Sequence, residues 1–256
     1  MTSGVRSLMQ PLRRSERVHQ SSRDPLDLLK WQARPPISTA SGDFRCTPIR
    51  KARRVSRQLM IPAADTRLYA VDAAGGTPAL LFLSGGFGTV HNWSRVIRRL
   101  DGKYRTVRFD ARARGKSGTS ADYSVQAAVD DIGRVIDATG IERPILVGWS
   151  LGATHAVRYA AQHPERVAGL VLIDGAYPIT MFDEAGKEKV RTQFRRLGWM
   201  MRIMAALGRS ARMSPAESAD VVIEMDAVNG DLGPDFAALD CPTVFVVGTG
   251  AHSGAT

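Results

Sequence analysis

The chain has 256 residues, of which 44% are hydrophobic and 23% are charged, and its formal net charge is +10. No apolar run approaches the roughly 18 residues that a membrane span needs, and the N-terminus lacks the apolar segment of a secretory signal. The two cysteines, Cys46 and Cys241, are too far apart in sequence to suggest a zinc site or a disulfide framework. We therefore expect a cytoplasmic α/β protein with no membrane partner.

The positive charge is concentrated near the N-terminus. Residues 1–60 hold 13 Lys and Arg against 4 Asp and Glu, whereas the rest of the chain holds 22 against 21. Prolines and weak periodicity are typical of disordered arms, so residues 1–57 are predicted to form a basic, disordered leader. Its run 49–57 could contact phosphates, but no aromatic interleaving or known nucleic-acid module accompanies it. We therefore do not expect nucleic acid as a partner.

From about residue 66 the sequence alternates between strand and helix patterns. Apolar or alternating runs predict strands at 67–71, 79–83, 104–109, 144–148, 167–173 and 242–247. Helical spacing predicts helices at 92–100, 125–136 and 151–162, and residues 179–238 have a helical composition without a strand pattern. Such alternation with short links predicts a mostly parallel sheet with helices on both faces.

A possible nucleophile lies in Gly148-Trp149-Ser150-Leu151-Gly152, between a predicted buried strand and a predicted helix. Gly-x-Ser-x-Gly alone is weak, since it occurs by chance in about one of ten chains of this length. The strand–turn–helix context is the one that this motif requires. It would expose the Ser150 hydroxyl at a sharp turn, where the helix N-terminus favours negative charge. Ser150 is therefore predicted to be a nucleophile.

A glycine-rich turn at 84–88 follows an earlier strand and suits a second role. Acyl transfer needs backbone N–H donors for the oxyanion, one of them directly after the nucleophile and one from such a turn. Leu151 and Gly86 are the predicted donors. The alternative is that residues 84–88 form an ordinary tight turn.

These segments together resemble the α/β-hydrolase superfamily, in its esterase, peptidase and dehalogenase-like branch, over about residues 58–250. The resemblance rests on residues 83–88, 91–93, 109–118, 148–152 and 169–174. Ser84 departs from the pattern, because the family usually has His at this position. The resemblance implies a hydrolase core at 58–178, a helical cap inserted at 179–239, and the penultimate core strand within 240–256.

The resemblance also implies a chemistry. It implies a serine hydrolase that cleaves an ester, amide or related acyl bond of a small molecule through an acyl-enzyme, with no cofactor and no metal. The family places its acid after the strand at 243–247 and its histidine after one further strand, and neither place is filled here. We therefore expect the last strand and helix to be missing and the chain to be truncated at its C-terminus.

The remaining candidates for the acid and the base are Asp174 and His252. Asp174 ends the strand next to that of Ser150, and a structural role is the alternative. His252 lies near the expected acid position. The other histidines are assigned different roles: His19 to the leader, His91 to structure or substrate lining, His155 to a direction about 140° around the helix from Ser150, and His163 to a helix end. Asp110 is expected to be structural.

Three functional hypotheses follow from these patterns. The first is the serine hydrolase. The second is a truncated or catalytically impaired hydrolase-like protein that binds a small apolar ligand beneath the cap. The third is a nucleic-acid-associated protein that acts through its basic leader. Ser150-dependent turnover of aryl esters separates the first from the second, and salt-sensitive binding of DNA or RNA would indicate the third.

Overall fold

A computed structural model describes residues 55–207 and 211–248. The predicted leader, apart from residues 55–57, lies outside the described residues, and so do His19, Cys46 and His252. The predictions made for those residues therefore stay predictions.

Seven strands of the described chain form one sheet. They are β1 (Ser56–Ala63), β2 (Thr66–Ala73), β3 (Leu80–Leu83), β4 (Thr106–Phe109), β5 (Ile145–Trp149), β6 (Gly169–Ile173) and β7 (Thr243–Val246). Their order is β1-β2-β4-β3-β5-β6-β7, in which β1–β2 and β2–β4 are antiparallel and the other four pairs are parallel. The prediction of a mostly parallel sheet is confirmed.

Strand β1 is the one strand of the described sheet that the sequence patterns did not indicate. It pairs with β2 along its whole length, from Ser56 opposite Ala73 to Ala63 opposite Thr66. Only Ile61 and Ala63 are buried in it, so its apolar alternation is too short to stand out beside the basic run. Strand β1 therefore includes Ser56 and Arg57, which belong to the stretch 1–57 that was predicted to be disordered.

Six α-helices accompany the described sheet. They are α1 (Ser94–Leu100), α2 (Val125–Thr139), α3 (Leu151–Gln162), α4 (Glu184–Ala206), α5 (Pro215–Gly230) and α6 (Leu232–Ala237), with short 3₁₀ helices at Val90–Trp93 and Pro164–Arg166. Gly140 ends α2 in the left-handed conformation (φ 60°), as expected for a glycine that follows a helix. Within the described ranges, no helix combines the length and the apolar character that crossing a membrane requires.

The two faces of the sheet carry different apolar clusters. Leu81 and Leu146 point into the larger one, beside α2 and α3, whereas Phe82 and Val147 point to the opposite face, beside Trp93 and α1. Burial on both faces explains why β3 and β5 are continuous apolar runs. Leu232 of α6 is also fully buried in the larger cluster, so α6 packs on the core.

A buried ion pair anchors the loop after β4 to α2. Arg112 donates two hydrogen bonds to Asp131, at 2.7 and 3.0 Å, and both side chains are at most 5% exposed. Asp110 accepts the backbone N–H groups of Val90 (2.7 Å) and Lys116 (2.9 Å). Burial raises the pKa of Asp110, while these hydrogen bonds oppose that rise. These contacts agree with a structural role for Asp110.

Helix α3 passes β3 at very short range. A Cβ atom added to Gly152 would lie 2.3 Å from the Leu83 carbonyl oxygen, which is too close for any side chain. The last residue of β3 and the first turn of α3 are therefore in direct contact. This contact fixes the position of the α3 N-terminus relative to the loop that follows β3.

We expect Gly152→Ala to lower the free energy of unfolding by about 1–3 kcal/mol, because α3 must move away from β3. Gly133→Ala, in the middle of α2, is the matched control: its Cβ would meet Tyr159 at an ordinary 3.5 Å. The control should be neutral or stabilising by up to about 1 kcal/mol. Urea unfolding of both variants measures the difference, and equal effects would contradict the close contact.

We expect Asp131→Asn to lower the free energy of unfolding by about 3–5 kcal/mol, since it leaves the Arg112 guanidinium buried without its counter-ion. Asp137→Asn, on the same helix, removes a carboxylate that is 68% exposed and pairs with Arg166. That change should cost less than about 1 kcal/mol. Thermal and urea unfolding check both values, and a small effect at Asp131 would refute the anchoring role.

Candidate active site

Ser150 lies at the tip of a sharp turn between β5 and α3. Its φ of 52° and ψ of −119° are unfavourable for a residue with a side chain, and such strain costs on the order of 1–3 kcal/mol. Its N–H donates to the carbonyl of Ile173 at 2.9 Å, which ties the turn to the end of β6. Packing on both sides therefore maintains the strained conformation.

Three glycines make room for this turn. A Cβ on Gly148 would lie 2.5 Å from the Gly152 carbonyl oxygen, and one on Gly175 would lie 2.4 Å from the Ser150 carbonyl oxygen. Gly152 faces Leu83 in the same way. We call residues 148–152 the elbow. No larger residue at these positions fits the observed backbone.

The glycine loop, residues 84–88, lies directly over the elbow. A Cβ on Gly85 would be 3.1 Å from the Trp149 ring and 3.4 Å from the Ser150 Cβ. Ser84, which replaces the usual histidine, accepts a hydrogen bond from the Trp93 indole N–H (2.9 Å) and donates to the Thr89 carbonyl (3.3 Å). The substitution therefore keeps a side-chain support for the loop.

The Ser150 cavity, of ≈ 170 Å³, lies between the glycine loop, the elbow and α5. Gly86, Ser150 and Leu151 line one side of it. The N–H groups of Gly86 and Leu151 have no hydrogen-bond partner in the described part of the chain. The structure thus brings the predicted nucleophile and both predicted donors to one cavity, and no described residue bonds to the Ser150 hydroxyl.

Helix α5 covers this cavity with mostly apolar side chains. Val221, Val222 and Met225 face it, together with the buried Ser218. Two hydrogen bonds anchor the cover: the Thr154 hydroxyl of α3 donates to Asn229 of α5 at 2.7 Å, and the Val125 N–H donates to Glu224 at 3.0 Å. The cover is therefore attached to the core through one buried and one partly buried hydrogen bond.

Arg114 also lines the Ser150 cavity, a position that the sequence patterns did not predict. The residue is 5% exposed, and its side chain donates to the carbonyls of Gly86 (2.8 Å) and Arg112 (2.7 Å). Burial lowers the pKa of Arg114 to about 10, so the side chain is still cationic at neutral pH. The sequence offered one indication of a functional position: Arg114 lies within residues 109–118, one of the segments on which the family resemblance rests.

His155 faces a separate, small cavity of ≈ 40 Å³ beneath the glycine loop, which Arg114 and Asp131 also line. It does not line the Ser150 cavity, in keeping with its predicted direction. Burial, and to a lesser extent the nearby charge of Arg114, lowers the pKa of His155 to about 3. His155 is therefore neutral in the folded protein at neutral pH.

Asp174 stands beside the elbow at the same edge of the sheet. Trp149 is paired with Ile173, so Ser150 and Asp174 follow neighbouring strand ends. Asp174 is exposed, with a φ of 43°, and its carboxylate accepts the Gly248 N–H at 2.7 Å. In the described residues it bonds neither Ser150 nor a histidine. Its observed contact serves the segment after β7.

The two other described histidines lie away from the Ser150 cavity. His163 is the residue that ends α3, as predicted, and its ring packs on Tyr159 with centroids 4.8 Å apart. His91 is exposed in the 3₁₀ helix next to the glycine loop. Neither of them lines the cavity that contains Ser150.

Comparison with known proteins gives the following matches. A family model described as alpha/beta hydrolase fold matches residues 78–221. A fluoroacetate dehalogenase from Burkholderia sp. is 31% identical over 134 residues, which are 50% of this chain and 44% of the relative. A 2-hydroxymuconate semialdehyde hydrolase from Pseudomonas sp. (strain CF600) is 34% identical over 133 residues, 49% of this chain and 46% of the relative. The chain thus spans less than half the length of these curated relatives.

The fold agrees with solved structures as well. An esterase from Exiguobacterium antarcticum superposes with a TM-score of 0.59 and 20% identity, over 74% of this chain and 80% of that chain. The family match at 78–221 covers more than half of the 256 residues and includes the glycine loop, the elbow and Arg114. The chain belongs to the α/β-hydrolase family.

Proposed function

We propose that the protein is a hydrolase that uses Ser150 as a nucleophile on an ester, amide or related acyl bond of a small molecule. The observation that carries this proposal is that Ser150, on a strained backbone turn, lines one cavity together with two unpaired N–H groups. The hydrolase names of the curated relatives support the reaction class. The cytoplasm remains our proposed location.

The proposed reaction has two stages. The Ser150 oxygen attacks the acyl carbon, and the N–H groups of Gly86 and Leu151 donate to the oxyanion that forms. Collapse of this intermediate releases the alcohol or amine, which takes up the proton from Ser150, and leaves an acyl-serine. Water then attacks the acyl carbon, releases the carboxylic acid and returns the proton to Ser150.

Transfer of the Ser150 proton needs a base within hydrogen-bond reach. His155 does not suit this role, because its lowered pKa makes it a weak base and it lines a different cavity. Asp174 and His252 stay our candidates for the acid and the base. In sequence, His252 follows Gly248 by four residues, and Gly248 is the residue whose N–H binds the Asp174 carboxylate.

The second candidate function is binding of a small apolar ligand without turnover. It is favoured by the unbonded Ser150 hydroxyl in the described chain and by the valine and methionine side chains of the cavity. Turnover of an aryl ester by this chain, abolished in Ser150→Ala, would exclude it. Ligand binding without such turnover would support it.

We expect a fluorophosphonate probe to label the protein at one serine, and Ser150→Ala to abolish the label. Ser94→Ala, which changes a partly buried serine of α1 outside the Ser150 cavity, is the control and should label normally. Hydrolysis of p-nitrophenyl acetate should fall by at least about 10³-fold in Ser150→Ala. Labelling or turnover that persists in Ser150→Ala would contradict the assignment of Ser150 as the nucleophile.

We expect His155 to make the folded state less stable in mild acid. Its folded pKa lies below the unfolded value of about 6.5, so the unfolded chain binds the proton first and stability falls as pH drops from 6.5 towards 3. At pH 5 this loss amounts to at most about 2 kcal/mol. His155→Gln should therefore lose less stability between pH 7.5 and pH 5 than the unchanged protein, measured by urea unfolding.

Comparison at pH 8 provides the control for this variant. At this pH both the histidine of the unchanged protein and the glutamine of the variant are uncharged. Any difference in the free energy of unfolding therefore reflects packing alone. Parallel stability curves for the two proteins from pH 8 to pH 5 would refute the lowered pKa of His155.

A further inference from the structure

Two polar groups in the Ser150 cavity lack hydrogen-bond partners in the described chain. Arg114 uses its Nε and Nη1 atoms to bond the carbonyls of Gly86 and Arg112, and its Nη2 atom has no partner there. The Ser218 hydroxyl is fully buried and also has none. Both residues line the same cavity as Ser150. A buried hydroxyl without a partner, as at Ser218, is unfavourable, and a ligand that forms a hydrogen bond with it removes this cost.

The charge of Arg114 is equally uncompensated. In the described residues no carboxylate forms an ion pair with it, whereas its neighbour Arg112 is paired with Asp131. A buried cation without a counter-ion is strongly unfavourable, and support of the glycine loop by two carbonyl contacts does not remove that penalty. An anion in the cavity would remove it.

Resting on the proposed function, we propose that Arg114 and Ser218 form an anion subsite that binds a carboxylate of the substrate while Ser150 attacks an acyl carbon of the same molecule. The preferred substrates are then small esters or amides that carry a free carboxylate, such as hemi-esters of short dicarboxylic acids. Arg114 would donate through Nη2 and Ser218 through its hydroxyl.

The size and lining of the cavity favour a carboxylate over a phosphate. The Ser150 cavity holds ≈ 170 Å³, and apart from Arg114, Ser218 and Ser150 the side chains that line it, such as Val221 and Met225, are apolar. One guanidinium amino group and one hydroxyl match the two oxygens of a singly charged carboxylate. A phosphate dianion would leave a charge and several acceptor oxygens unsatisfied in such a lining.

The contact between Arg114 and the Gly86 carbonyl links this subsite to the oxyanion donor. The same guanidinium that would bind the carboxylate holds the peptide whose N–H group is proposed to bind the oxyanion. A merely structural Arg114 would affect all substrates equally through this link. Only a direct contact would change the preference between charged and neutral substrates, and that difference makes the proposal testable.

The test compares monomethyl succinate with dimethyl succinate at pH 7.5, where the first carries one carboxylate and the second none. We expect kcat/KM to favour the hemi-ester by at least about tenfold. Arg114→Met should lower the hemi-ester to diester ratio by at least about tenfold, because it removes the charge and keeps the length of the side chain. Arg166→Met, which removes a charge outside the Ser150 cavity, should leave the ratio unchanged.

Equal kcat/KM for the two esters, or equal losses on both in Arg114→Met, would overturn the anion subsite and leave the Ser150 assignment intact. If Arg114→Met does not fold, Ser218→Ala replaces it and should lower the same ratio; an unchanged ratio in this variant would overturn the proposal.

Absence of hydrolysis with both esters would count against the proposed function instead. In that case calorimetric titration of the unchanged protein with each ester decides the subsite separately. Binding of monomethyl succinate but not of dimethyl succinate, lost in the Arg114 or Ser218 variant, would support it. Equal binding of both esters, or binding of neither, would overturn it.

Discussion

The contact between Gly152 of α3 and the carbonyl of Leu83 at the end of β3 is the constraint on which the candidate site depends. A Cβ atom on Gly152 would lie 2.3 Å from the Leu83 carbonyl oxygen, so the first turn of α3 directly contacts the end of β3, and the glycine loop after β3 is held beside the elbow after β5. Ser150 is thereby kept in a strained backbone conformation with its side chain at the cavity. The favourable free energy of the surrounding packing must exceed the cost of this strain. Gly148 and Gly175 permit that packing because neither has a side chain.

The segment after β4 connects the core, the loop and the cover. Arg112 is bound to Asp131 of α2, while Arg114, two residues later, reaches back to the carbonyl of Gly86. Arg212, just before α5, donates to the carbonyl of Gly115 at 2.7 Å, and its N–H donates to that of Ala113 at 2.8 Å. One loop therefore positions the glycine loop on one side and the entry to α5 on the other.

This arrangement gives the two arginines different roles despite their near-identical place in the sequence. Arg112 is a structural cation paired with Asp131, and loss of either side chain should lower the free energy of unfolding. Arg114 has no paired carboxylate in the described chain and faces the cavity, so its effect should be felt in the choice of substrate. Ala113, which lies between them, has a positive φ of 61°, so the chain turns at this residue and the two arginine side chains enter different surroundings.

Much of the fold was predictable because the core strands are buried on both faces. Residues such as Leu81, Phe82 and Leu146 form continuous apolar runs, which stand out from the helices between them. Strand β1 was not predictable, since most of its residues are exposed and its first two belong to the basic run. Ser150, Gly86 and Leu151 were predicted from order along the chain, because a strand, a turn and a helix N-terminus in sequence already imply their proximity.

What the sequence by itself determined is the order of strands and helices, the family resemblance and the strand–Ser150–helix turn, since these depend on local periodicity and on glycines at a few positions. The tertiary structure alone decided which polar groups meet at the cavity. Arg114 on a loop and Ser218 on α5 are about a hundred residues apart, and nothing local distinguishes Arg114 from Arg112. Their placement depends on long-range packing, which buries Arg114, lowers its pKa and brings no described carboxylate into an ion pair with it.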